Sequence, residues 1–107
     1  MTDLNAIAKD HLRAAMASEH GRSAVLVAQD GPLRQTVLAL KEGVSMGEHN
    51  APHAATLYVL EGSIAVVSAG GRLVLGEGQL AVVPQERHAV EALEDAVFLL
   101  TAVTAVP

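Results

Sequence analysis

The chain has 107 residues, half of them hydrophobic, and its 12 acidic side chains outnumber the 7 basic ones to leave a net charge of −5. That length sets one domain with a single core, and the absence of cysteine excludes a disulfide framework, a thiolate metal site and a thiol nucleophile. An acidic chain with one Tyr and one Phe offers nucleic acid neither a basic stripe nor a stacking platform, and no window approaches the length of a membrane span. Asp3, Lys9, Asp10, His11 and Arg13 interrupt the N-terminal stretch, which therefore lacks the uninterrupted apolar core of a signal peptide, and the composition fits the cytoplasm.

Leu4, Ile7, Ala8, His11, Leu12 and Ala15 recur at three- and four-residue spacing, which predicts one amphipathic helix over residues 3–18. Asp3 is its candidate N-cap and Gly21 its candidate stop. From Ser23 the pattern changes to short aliphatic runs punctuated by glycine, proline and acids. The runs cover residues 23–29, 33–41, 54–61, 63–69, 72–75, 79–83, 87–93 and 97–103, with Gly70-Gly71 a hairpin turn candidate. Eight short strands and no second helix predict an all-β sandwich or barrel. Residues 1–22 are then the helix and lead-in, and 23–107 the β-barrel of one domain. Several runs, such as 64–67 and 97–100, are apolar on both faces, so their outer face needs a second sheet, the helix or a partner subunit. A homodimer is the expected assembly.

The chemistry concentrates in two segments. Residues 43–62 place His49 and His53 around Pro52 and then run into an apolar strand that ends on Gly62. Residues 78–88 lead through Pro84 to His88. Imidazole is the commonest protein ligand for transition metals, and a strand is a stiff platform from which to aim it. On a regular strand His49 and His53 would lie about 13 Å apart, but Asn50-Ala51-Pro52 reads as a bend that can bring the rings together. The bland alternative has His49 and His53 in a solvated loop and His88 at a polar rim.

These residues resemble the cupin superfamily, small jelly-roll, double-stranded β-barrels that hold a metal or ligand in the barrel mouth. Gly43, His49 and Gly62 stand at positions of the family's first motif, and Gly78 and Pro84 at positions of the second, with His88 one residue early. The departures are Ala51 and Ala55 at two usual ligand positions, and Glu86 and Ala92 within and after the second motif. The resemblance implies a single-domain cupin whose His49 and His88, with His53 as a substitute third ligand, would hold Zn, Fe, Ni, Mn or Cu. Three histidines with open positions make a site of the catalytic type.

Gln35, a polar residue in an apolar strand, is a candidate pocket group because burial without a partner is costly. Met46 and Phe98 are candidate apolar lining, and Tyr58, the sole phenol, a candidate donor. Glu48 reads as a rim charge, and His11 and His20 as structural or surface residues. No Gly-rich phosphate loop precedes the helix, Glu61, Glu77 and Glu86 fall at turns, and Ser63 lacks a nucleophile elbow. Three functions stay open: a metal-dependent enzyme acting on a small organic molecule, a metal-free small-molecule-binding or sensory barrel, and a dimeric scaffold without catalysis.

Overall fold

The computed structural model describes residues 1–49 and 54–104 and, of Glu48 and His49, the backbone alone. It opens with α1 (Leu4–Ala17). The Asp3 side chain accepts from the backbone N–H of Asn5 at 3.0 Å and of Ala6 at 3.2 Å, satisfying donors that a helix start leaves open. The helix ends earlier than its predicted stop. Ser18 is already extended, and Gly21, at φ 70°, turns the chain into the first strand.

Nine strands follow among the described residues: β1 (Arg22–Asp30), β2 (Leu33–Leu40), β3 (Ser45–His49), β4 (Ala54–Glu61), β5 (Ser63–Ser68), β6 (Gly71–Gly76), β7 (Leu80–Val82), β8 (His88–Ala92) and β9 (Ala96–Val103). β3 is one more than the hydrophobic pattern predicts. Ser45-Met-Gly-Glu-His49 shows no apolar alternation, and β3 takes its form from antiparallel pairing with β8. The strands form a five-stranded sheet, β1-β2-β9-β4-β7, and a four-stranded sheet, β3-β8-β5-β6. The predicted barrel is thus a jelly roll of two stacked sheets, not a continuously hydrogen-bonded cylinder.

Strand alternation divides the core in two. Leu57 and Val59 on β4, Phe98 on β9, Ile64 and Val66 on β5 and Val90 and Ala92 on β8 meet between the sheets. The opposite face of the five-stranded sheet presents Val37, Ala39 and Val97 to Ala8 and Ala15 of α1. This second layer explains why β2 and β9 read as apolar on both faces. The helix leaves β7 uncovered, where Leu80 is 62% and Val82 72% exposed.

The β4–β5 turn closes one end of the interior at Gly62. Its φ is +76°, and a Cβ there would lie 2.2 Å from the Asp95 carbonyl oxygen, so glycine alone fits. At the other end β3 stops at His49 and β4 begins at Ala54, on the side where Ser68 and His88 lie opposite each other. That end is the mouth.

Candidate functional site

His88 opens β8 and is only 3% exposed, the one buried polar side chain among the described residues. Alternation with Val90 and Ala92, both in the inter-sheet core, puts it on the interior face. Its Nδ1 lies 3.0 Å from the Glu86 carbonyl oxygen. A carbonyl can only accept, so Nδ1 carries the proton in that bond, which in the neutral ring leaves the lone pair on Nε2. Metal-ligating histidines typically use their other nitrogen in this way, to fix tautomer and ring orientation.

His88 stands in a row across the four-stranded sheet, with His49 of β3 as its register partner on one side and Ser68 of β5 on the other. A register shift between Met46 and His49 sets that pairing. Bulges of this kind re-aim residues at sheet edges and sites. His53 falls outside the described residues, and among the described residues no three His, Cys, Asp or Glu side chains come together as a metal-binding group.

Glu86 ties the mouth together in a way its position in a turn does not announce. Its backbone carbonyl orients His88, while its Oε1 accepts from the Gly70 N–H at 3.2 Å. The Ser68 hydroxyl and then the Gly70 amide hold the Glu86 carboxyl below the usual carboxylate range. One residue therefore anchors the β5–β6 turn and the start of β8. The only sequence signal was an acid standing where the resembled motif has glycine.

The four candidate pocket residues separate. Phe98 is 1% exposed and packs inside the inter-sheet core. Met46 is half-buried against the same core and lines a cavity of about 400 Å³. Gln35 is a correction: it shares the face of Val37 and Ala39, away from the interior, and its Nε2 donates to Thr101 Oγ1 at 3.1 Å. Its burial is satisfied by a cross-strand partner. Tyr58 also stands on the outer face, opposite Leu80 and Leu99. His11, on α1, shares a 2.7 Å hydrogen bond with Ser23 and fastens the helix to β1.

Two stacked antiparallel sheets with this strand order and a histidine at the open end define a small jelly-roll domain. The chain belongs to the cupin domain family, whose model matches residues 36–104. A conserved protein of unknown function from Streptococcus pyogenes is similar in structure, with a TM-score of 0.74 and 26% identity over 84% of this chain and 80% of that one. KdgF from a Halomonas species is similar at a TM-score of 0.69 and 24% identity, covering 81% of this chain and 83% of its own. Salicylate 1,2-dioxygenase from Pseudaminobacter salicylatoxidans shares the fold at a TM-score of 0.77 and 17% identity, over 92% of this chain but 33% of that protein. Among curated proteins none matches. No helix among the described residues is long and apolar enough to cross a membrane.

Proposed function

We propose that this cupin domain holds a divalent transition metal at its mouth through His49 and His88, with His53 as third ligand, and binds or acts on a small organic molecule there. The observation that carries it is the register pairing of His49 with a buried His88 whose Nδ1 meets a backbone carbonyl. Directly opposite residues of an antiparallel pair have Cβ atoms about 4.5–5.5 Å apart on one face, close enough for two imidazoles to share an ion. The donor set is all nitrogen, which suits Zn, Ni, Cu or Fe better than Mg or Ca.

When bound, the metal would supply Lewis acidity toward an oxygen of the organic molecule. The chain's own residues do the rest. Glu86 and Ser68 fix the rung that carries His88. Ala55 and Ala102, register partners on the facing sheet, are small at the mouth end of β4 and β9, where larger groups would fill the space. That a neighbour in fold is named a salicylate 1,2-dioxygenase supports a small-molecule role for such a mouth.

Elemental analysis of protein purified without a histidine tag tests the proposal. It expects close to one transition-metal ion per chain and loss of it in the His49→Ala/His88→Ala double variant. Trace metal unchanged by the double variant leaves the metal-free binding barrel or the scaffold. Retention of metal in His53→Ala would show the third ligand to lie elsewhere. We further propose a homodimer, supported by the exposed Leu80 and Val82 on edge strand β7 beside Tyr58. Light scattering on Val82→Glu expects a monomer, and a wild type that is itself monomeric would refute the assembly.

A further inference from the structure

The cavity that Met46 lines is bounded by Arg22, Ser23, Ala24, Leu38 and Leu40 as well, and opens between β1, β2 and β3. Its volume of about 400 Å³ lies within the range of small-molecule sites, which are mostly apolar with a few placed polar groups. Register explains the lining: Arg22 pairs with Leu40 and Ala24 with Leu38, so these four share the interior face, and Met46 reaches them from the facing sheet. Ser23 points its hydroxyl the other way, to His11 at 2.7 Å. Among the described residues the charged group on the wall is therefore Arg22.

Arg22 makes no ion pair and no side-chain hydrogen bond among the described residues, although acids outnumber bases 12 to 7 in the chain. A guanidinium is a planar fork matched to a carboxylate, and flanking apolar surface strengthens the pairing by excluding water. One cation at the edge of a Leu-, Met- and Ala-lined hollow fits one negative charge on an apolar body. We infer that this cavity binds a small aliphatic or aromatic monocarboxylate, its carboxylate on Arg22 and its body against Leu38, Leu40 and Met46.

The site is distinct from the histidine row. Met46 pairs with Val90, one interior position before His88, so among the described residues the cavity's lining stops a rung short of the proposed metal. Binding here needs no metal, and its failure leaves the metal proposal untouched.

The test is a ¹H–¹⁵N NMR titration of the metal-free protein with hexanoate, and with hexan-1-ol as the uncharged counterpart. Hexanoate should shift the amides of residues 22–24, 38–40 and 46. Arg22→Gln should weaken hexanoate about 10-fold or more, the loss expected for a charge-assisted hydrogen-bonded pair, and leave hexan-1-ol unchanged. Ala24→Phe, at an exposed position, should fill the cavity and abolish the hexanoate shifts. His88→Ala should retain them. Absence of binding, shifts clustered away from these strands, or equal hexanoate affinity in Arg22→Gln would overturn the inference.

Discussion

The two ends of the interior are made from the same strands and are chemically opposite. From the Gly62 turn toward the mouth, the inward positions of β8 run Ala92, Val90, His88, and those of β5 run Ile64, Val66, with Ser68 the register partner of His88. On the facing sheet β4 runs Val59, Leu57, Ala55 and β9 runs Phe98, Leu100, Ala102. Over three rungs one sheet turns from apolar to polar while the other shrinks to alanine. The closed end provides packing, and the last rung carries the proposed site. A functional center here needs only a change of three or four side chains on a scaffold otherwise occupied with packing.

That contrast can be broken from either end. The largest effect belongs to the closed end: Phe98→Ala should cost about 3–5 kcal/mol in urea unfolding, the range for removing a fully buried aromatic side chain. Metal content per folded molecule should not change, and a simultaneous loss of metal would show the two ends to be coupled. Asp3→Ala, which removes the α1 cap outside the sandwich, should cost about 0.5–2 kcal/mol and leave the mouth intact. An unchanged midpoint would mean that packing on β1, β2 and β9 holds the helix without its cap.

The smallest effect is local to the mouth and depends on pH. The Glu86 carboxyl titrates below its unfolded value, so its bonds to Ser68 and Gly70 are complete above the ordinary carboxylate range and are lost as pH falls through the lowered folded value. The Gly70 amide shift should follow that acid-side titration, and Glu86→Gln should abolish it. A Gly70 amide that titrates unchanged in the variant would separate the turn from Glu86.

The sequence made most of the scaffold legible because periodicity is a local signal. Residues 54–61 are an aliphatic run that is also a strand, and Asp3 announces the helix start by its side-chain chemistry. What it hid depends on partners distant in the chain. β3 is a strand because β8 pairs with it, and nothing within Ser45–His49 says so. Gln35 reads as an interior group because it is polar in an apolar strand; its partner on the outer face, Thr101, lies 66 residues away and no local pattern announces it. The histidines were legible as residue types at motif positions, whereas the carbonyl of Glu86 that orients His88 is a backbone contact no side-chain pattern encodes.

The most direct measurement of the central claim counts imidazoles on an ion. Electron paramagnetic resonance of the protein loaded with one equivalent of Cu²⁺ should show hyperfine coupling to at least two imidazole nitrogens, and His88→Ala should remove one of them. A spectrum identical in wild type and His88→Ala would place the ion elsewhere and contradict a metal center at the mouth.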